Sequence, residues 1–455
     1  MMKKISFLLL IIILLSATVL RGYNLAGRAT FEWDQERDQK AISTMIQEHK
    51  PSLVGPVTQG QGGFLLGPLY YYLLIPAHLV MSSNPLSQST TSILIDLGVI
   101  IALYVLGNRL FRPSTGLIAA SIWAFSAYTI RLSLVSWNVS LVPLYTLGSL
   151  ALGLILQRHF RFRYILISLF WLGLAWHIHP SVVFQIPIVL WLSRSSLRRL
   201  SLRNWLFSGI ALVLPLTPWI VFDLRHQFTN TKLLLGFVSH SSLSDPIGLT
   251  LTSLWEKYSF ELSQLIFGRQ LLVAGSVLVI IQLFLLWHSR SFVTRFLAFN
   301  LFFNALALIL MRNVDFGNYY LLNLLLLNVW LLVDLIVSFR PRYSFLFLLI
   351  FLVFNFGQYR FTTQPFSLKV KAEVLNRIAV WNNPVDLEIS LPVGRRSGFD
   401  WYLANTTLLR DDDMAPNVAY IVESEQMEIN APVKARSIVI QETIGGFRFV
   451  GYKGN

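Results

Sequence analysis

The chain has 455 residues, of which 54% are hydrophobic and only 13% charged, and it contains no cysteine. This composition is typical of a polytopic membrane protein and excludes an ordinary soluble globular protein. Without cysteine the chain can form no disulfide, no thiolate metal site and no cysteine nucleophile.

Apolar runs suited to crossing a bilayer recur along the chain. Every second connection between them is short and basic, and together these connections carry 15 Lys and Arg residues and no acid. By the positive-inside rule they are cytoplasmic, so the net charge of +14 is mainly a topology signal and we expect no nucleic-acid partner. We predict about 11 transmembrane helices, at 5–21, 91–108, 114–131, 140–156, 164–180, 181–193, 205–222, 271–287, 295–311, 319–338 and 343–357.

This pattern predicts a multi-pass plasma-membrane protein with a cytoplasmic N-terminus and an extracytoplasmic C-terminus. The first span also fits a cleaved signal peptide. Because no small-x-small cleavage site precedes Arg21, we expect the helix to be retained.

Two outer segments carry most of the remaining organisation. Residues 22–90 form the first extracytoplasmic loop of a membrane domain that extends over residues 1–357. Residues 358–455 read as a small extracytoplasmic α/β domain, with an amphipathic helix at "SLKVKAEVLNRIAVWN" and strands at "DLEISLPV", "NVAYIVES" and "RSIVIQETIGGFRFVGYK". The predicted fold class is therefore an all-α polytopic membrane protein with this α/β addition.

The first outer loop concentrates charge in "TFEWDQERDQKAI". If residues 34–48 are helical, Asp34, Arg37 and Asp38 share one face at i, i+3 and i+4. A solvated helix end with paired charges is the plain alternative. A glycine-rich, uncharged stretch follows at 55–68, and then "LYYYLLIPAHLV" at 69–80, which is too short to span and suits an interfacial helix.

These features resemble the GT-C type membrane glycosyltransferases, in particular the protein O-mannosyltransferases and the lipid A aminoarabinose transferases (families 39 and 83). Asp34 and Arg37 match a "D-x-x-R" motif, and residues 68–73 match "P-L-Y-Y-x-L". "NRLF" at 108–111, followed by a span and Arg131, has the order found in that family.

The resemblance implies inverting transfer of a sugar from a polyprenyl-phosphate carrier to an acceptor hydroxyl on a glycan, lipid or protein at the outer face. Asp34 is then the general base. Two departures stand out: the family often has a lysine where this chain has Gly67, and Asn138 stands where a second acid often follows Arg131. A metal-bridging scheme is thereby weakened. We therefore expect no metal site and no cofactor, although a divalent metal is left open.

Further candidate residues lie at the predicted outer ends of spans. The candidates for binding the donor or its phosphate are Arg37, Arg131, His177, His179, Arg225 and Arg312. The candidates for the lipid or acceptor site are Asp38, Tyr70, Tyr71, Asn138 and Tyr319. For the histidines an interfacial pair held by water is equally open, and Arg225 with His226 also fits a helix cap on Asp223.

Two other functions compete with glycosyl transfer. A transporter or flippase of lipid-linked sugars predicts inverted repeats and polar residues at the membrane midplane, but here the midplane is almost free of charge. The main exception, Asp96, is expected to be either solvated by a site cavity or neutral. An envelope assembly protein would leave the acid–arginine loop unexplained.

Overall fold

A computed structural model describes residues 2–58, 63–82, 84–239, 250–288, 291–310, 318–339, 341–425 and 437–453. Helices dominate from Met2 to Phe356, and a helix-covered sheet follows them. The helices before the sheet are α1 Met2–Gly22, α2 Leu25–Arg28, α3 Trp33–Gln47, α4 Leu69–Val80, α5 Leu86–Leu110, α6 Pro113–Phe125, α7 Ala127–Ser133, α8 Val142–Arg158, α9 Phe162–Gly173, α10 Gln185–Leu197, α11 Leu202–Val213, α12 Thr217–Arg225, α13 Thr229–Ser239, α14 Leu251–Phe267, α15 Leu272–His288, α16 Phe292–Leu310, α17 Leu322–Phe339 and α18 Pro341–Phe356.

Six stretches of the described residues are long and apolar enough to cross a membrane, or seven if the bent pair α14–α15 counts as one span. They are Lys4–Gly22, Leu86–Leu110, Asn138–Arg158, Leu202–Arg225, Phe292–Ile309 and Asn318–Val337. The predicted interfacial helix at residues 69–80 is α4 and has those bounds. The eleven predicted spans are not confirmed.

The predicted span at 114–131 shows why the count differs. Ser126 takes an extended conformation and divides this run into α6 and α7. A break of this kind inside apolar surroundings requires partners for the freed backbone groups. The side chain of Asn355 accepts the Ala127 N–H at 2.8 Å, and the Ser126 hydroxyl donates to the Leu265 carbonyl at 2.7 Å. Hydropathy alone does not reveal such a compensated break.

Asp96 is paired with a buried arginine. Arg21, which is fully buried, donates through Nε at 2.8 Å and lies 2.7 Å away through Nη2. The Trp123 indole donates to the other carboxylate oxygen at 2.7 Å, and a further Arg21 nitrogen donates to the Ala124 carbonyl at 2.9 Å. The expectation for Asp96 did not include this pairing, because it left out the arginine at the end of the first helix.

The C-terminal region contains the predicted helix and strands. The helices are α19 Leu368–Trp381, α20 Val393–Arg396 and α21 Phe399–Asn405, and the strands are β1 Asp386–Ile389, β2 Asn417–Glu423, β3 Ser437–Ile444 and β4 Phe447–Lys453. The sheet order is β1-β2-β4-β3, with β1 and β2 parallel and the other pairs antiparallel. Helix α19 buries Val374, Leu375 and Ile378 in one cluster with Phe449 of the sheet.

This region contacts the backbone just before α3. The fully buried Lys371 ammonium donates to the carbonyl oxygens of Phe31, at 3.0 Å, and of Ser397. Arg395 donates to Glu32 at 2.8 Å. The segment before α3 and the C-terminal region are therefore joined at the start of the helix that carries Asp34.

Candidate functional site

Helix α3 is fixed at its first turn by polar contacts. The Glu32 N–H donates to the Gln35 side chain at 2.9 Å, which is one half of a capping box. The Gln35 amide donates to the Ser136 carbonyl at 2.6 Å, and the Gln88 amide donates to the Gln35 carbonyl at 2.7 Å. Because these partners lie in three different segments of the chain, the position of the first turn is over-determined.

Arg37 joins two carboxylates on the face of α3. Its Nη1 donates to Asp34 Oδ1 at 2.7 Å, and its Nε and Nη2 donate to Asp38 Oδ1 at 2.9 and 2.7 Å. The guanidinium also lies 5.2 Å from the centroid of the Trp33 ring. The Asp34 side chain is 41% exposed and the Asp38 side chain 0%. Arg37 thus orients the accessible carboxylate and neutralises the buried one.

Burial changes the acidity of Asp38. It raises the pKa of the Asp38 carboxyl to about 7, against the opposing effect of Arg37. The Tyr71 hydroxyl lies beside the same pair, and its pKa is raised by burial and by Asp38. Asp34 Oδ2 has no hydrogen-bond partner within the described part of the chain, so this oxygen is available to accept a proton.

Asp34 opens into a cavity of about 170 Å³. It is the one acid among the described residues that line this cavity. The walls are aromatic, since the Trp137 and Tyr319 rings meet edge to face at 4.9 Å. The lining consists of Trp33, Asp34, Val57, Thr58, Trp137, Asn138, Val139, His179 and Tyr319. Two predicted site residues besides Asp34 and Tyr319, namely Asn138 and His179, are therefore brought to the same cavity.

The hydrogen bonds of His179 determine its tautomer. Its Nδ1 accepts the backbone N–H of Ser181 at 3.2 Å, so a neutral ring carries its proton on Nε2. The ring packs against Tyr319 and Tyr320 at centroid distances of 5.4 and 4.6 Å. The neutral ring of His179, a residue of the cavity lining, therefore has its donor at Nε2. Asn138 donates its amide to the Ile178 carbonyl at 2.5 Å, which leaves its side-chain oxygen as an acceptor.

His177 has a different position. Its Nδ1 accepts the Leu69 N–H at 3.3 Å, and its Nε2–H donates to the Pro215 carbonyl at 2.7 Å. Both ring nitrogens are thus engaged by backbone, and neither is left for a sugar donor. A Cβ built on Gly67 would lie 2.2 Å from His177 Nδ1. The ring therefore excludes any side chain at the position where the related family often has a lysine.

The two predicted tyrosines of α4 line the core rather than the cavity. Tyr70 is fully buried and its hydroxyl shares a 2.7 Å hydrogen bond with Ser136. Tyr71 is 5% exposed and contacts the Asp38–Arg37 pair described above. Both belong to the hydrophobic cluster that packs against α3, and neither is among the described residues that line the Asp34 cavity.

None of the other predicted phosphate-binding arginines lines the Asp34 cavity in the described part of the chain. Arg225 is exposed at the end of α12, and Asp223 does not pair with it but accepts from the Thr231 N–H at 3.1 Å and caps α13. Arg131 lines a second cavity, which contains neither Asp34 nor His179. Arg312 lies outside the described residues.

Some lining residues were not predicted from the sequence. Trp137 stands between Arg131 and Asn138 in "RLSLVSWN", and Thr58 stands in the glycine-rich stretch. A tryptophan at the end of a turn between two apolar helices is a sequence signal for an aromatic residue that lines a cavity. Nothing in the sequence distinguishes Thr58 from the other polar residues of its loop.

Comparison with known proteins places this arrangement in a wider setting. Residues 66–222 match the family described as dolichyl-phosphate-mannose-protein mannosyltransferase. No curated protein sequence matches the chain.

Three solved structures share its fold. ArnT from Cupriavidus metallidurans bound to undecaprenyl phosphate has a TM-score of 0.63 at 12% identity, covering 98% of this chain and 97% of that one. The apo form of ArnT gives 0.59 at 11% identity, with 99% and 98% covered. The apo oligosaccharyltransferase of Archaeoglobus fulgidus gives 0.52 at 12% identity, covering 89% of this chain and 64% of its own length. The expected resemblance to GT-C type membrane glycosyltransferases is confirmed, and the chain has their fold.

Proposed function

We propose that this protein transfers a sugar from a polyprenyl-phosphate carrier to an acceptor hydroxyl, with Asp34 as the general base. The observation that carries the proposal is the cavity in which an accessible Asp34 oxygen shares a lining with His179 and Asn138. The fold supports it, and the matching ArnT structure contains undecaprenyl phosphate. The acceptor is a glycan, lipid or protein, and the transferred group is a hexose or a pentose.

The proposed step is a single displacement with inversion. Asp34 Oδ2 takes the proton of the acceptor hydroxyl as its oxygen attacks the anomeric carbon. A new glycosidic C–O bond forms while the bond from the anomeric carbon to the phosphate oxygen breaks. The polyprenyl phosphate leaves with the bonding electron pair. Arg37 keeps Asp34 Oδ1 at 2.7 Å, so the reactive oxygen has a fixed direction.

The leaving phosphate gains negative charge and needs fixed donors. Among the described lining residues, the Nε2–H of His179 is suited to this task because its Nδ1 is held by Ser181. The Tyr319 hydroxyl is a second candidate on the same wall. Arg312, which belongs to the undescribed segment just before Tyr319, stays in the proposal as the cation that replaces the lysine.

The membrane placement belongs to the same proposal. Residues 1–357 form the membrane domain of a plasma-membrane protein and residues 358–455 an extracytoplasmic domain, with the N-terminus in the cytoplasm. The site would then lie at the outer headgroup level, where a carrier phosphate and a polar acceptor meet.

The test is donor consumption by purified protein in lipid nanodiscs, with a panel of polyprenyl-phosphate sugars. We expect one donor to be converted to free polyprenyl phosphate, and Asp34→Asn to lower turnover by roughly 10² or more with folding intact. Glu36→Gln is the matched control, because Glu36 lies on the same helix and pairs with Lys40 at 3.0 Å. Full activity of Asp34→Asn would remove Asp34 from the mechanism. If the protein in lipid vesicles moves the donor across the vesicle membrane without cleaving it, the flippase alternative is favoured.

A further inference from the structure

A second cavity, of about 190 Å³, is lined by three arginines. It forms where the end of α1, helix α2, helix α7 and the segment after α18 meet. The arginines are Arg28, Arg131 and Arg360, and the described lining contains no acid. The rest of the wall is largely apolar, with Ile130 and Leu134 as examples.

The three cations differ in how they are held. Arg28 is 6% exposed, and its Nη1 donates to the carbonyls of Leu20 and Tyr23 at 2.8 and 2.9 Å. It is therefore a fixed charge. Arg131 and Arg360 make no hydrogen bond or ion pair within the described ranges of the chain, and they repel each other.

The acid that acts on Arg131 does not neutralise the cavity. Glu261 attracts Arg131 electrostatically, but the two do not form an ion pair. Glu261 is 2% exposed and accepts the Asn318 amide at 2.7 Å. Three like charges beside one cavity are unfavourable unless an anion enters.

The position of the cavity indicates the class of anion. Leu20 precedes the end of the first span by two residues, and Arg360 follows the last apolar helix by four. Cations at the ends of spans lie at headgroup level, where guanidinium groups bind phosphate through paired N–H donors. An apolar wall beside the cations suits the acyl or prenyl chain of the same molecule.

From this arrangement we infer that the cavity binds the phosphate of a membrane lipid. The site is separate from the Asp34 cavity and does not depend on the proposed transfer reaction. The two cavities share walls built from the same pair of segments, since Thr30 and Val135 form a bridge between residues 28–34 and 131–138. A bound lipid would therefore brace the segments that carry Asp34 and Asn138.

The experiment is native mass spectrometry of the detergent-purified protein, titrated with phosphatidic acid and, separately, with phosphatidylcholine. We expect the phosphatidic acid to form a one-to-one adduct that survives delipidation, and phosphatidylcholine to form none. Arg131→Gln with Arg360→Gln should weaken the adduct by about tenfold or more, since charge-assisted contacts are lost. Arg225→Gln, an exposed cation that lines neither cavity, should leave the affinity unchanged.

Several results would overturn the inference. Equal adduct affinity in the double variant and the wild type would mean that the arginines bind no lipid. Inorganic phosphate that displaces the adduct at the lipid's own concentration would make this a site for a soluble anion. If Arg131→Gln does not fold, the exposed Arg360→Gln carries the test alone with a smaller expected loss, and an unchanged affinity in it would sink the proposal.

Discussion

Replacing Gly67 by alanine tests the packing that separates this chain from its relatives. A Cβ there would lie 2.2, 2.5 and 2.6 Å from three atoms of the His177 ring, distances at which one of the two groups must move. The ring cannot withdraw freely because the Leu69 N–H and the Pro215 carbonyl hold its two nitrogens. Overpacking of this kind costs about 1–3 kcal/mol, and each strained hydrogen bond adds about 0.5–1.5 kcal/mol. We expect Gly67→Ala to lose about 2–3 kcal/mol of unfolding free energy.

The assay is equilibrium unfolding in mixed detergent micelles, followed by tryptophan fluorescence. Gly98→Ala is the control, because Gly98 lies inside helix α5 and has no atom within 4 Å of its Cβ position. It should be neutral or stabilising by up to about 1 kcal/mol. In Gly67→Ala combined with His177→Ala the clash is absent, so the double variant should be more stable than the sum of the two single losses predicts. A Gly67→Ala protein as stable as the wild type would refute this account of the missing lysine.

Three further predictions concern charge and topology. Burial raises the pKa of Asp38 to about 7 from its ordinary value of 3.8, so the folded state binds an extra proton between these values and the unfolding free energy should fall as pH rises through this window. Asp38→Asn should flatten this pH dependence, and an unchanged slope between pH 5 and 7 would contradict the shift. Lys371→Met leaves two buried carbonyl groups without their donor, so the unfolding free energy should fall by about 1–3 kcal/mol and turnover should fall with it. Lys369→Met, a change at an exposed position of the same helix, should alter neither quantity. Equal values for both variants would show that the Lys371 contact stabilises nothing. A reporter fused at Asn455 should be active only outside the cell and one fused after Arg203 only in the cytoplasm, and the opposite result at either site would reverse the proposed topology.

Local patterns predicted local structure well. Helix α4 has the predicted bounds because a mainly apolar stretch of twelve residues follows Pro68 and ends just before Met81 and Ser82. The strands of the C-terminal region follow from alternation and turn residues, with Gly445 at a positive φ of 60° in the turn between β3 and β4. Both signals lie within a few residues of what they determine.

Contacts between residues far apart in the sequence could not be predicted from such local patterns. The pairing of Asp96 was not predicted because its partner Arg21 is 75 residues away, and a hydropathy profile carries no information on such a pair. The use of Gly67 likewise depends on His177, which reaches it only through the tertiary fold. The sequence identified the Asp34 motif, whereas the aromatic walls around it required the packing of four separate segments.

The start of α3 shows how these long-range contacts bear on the proposed chemistry. Gln35 ties the first turn of α3 to Ser136 and to Gln88 of α5. Arg395 contacts Glu32 at the N-terminus of α3, and Lys371 of the C-terminal region holds the preceding backbone. A displacement of a reactive group by about 1 Å is enough to cost a large factor in rate. Since Asp34 lies in the same turn as Gln35, the direction of its carboxylate depends on both parts of the chain. The C-terminal region is therefore expected to contribute to turnover through the position of Asp34, although none of its described residues lines the cavity.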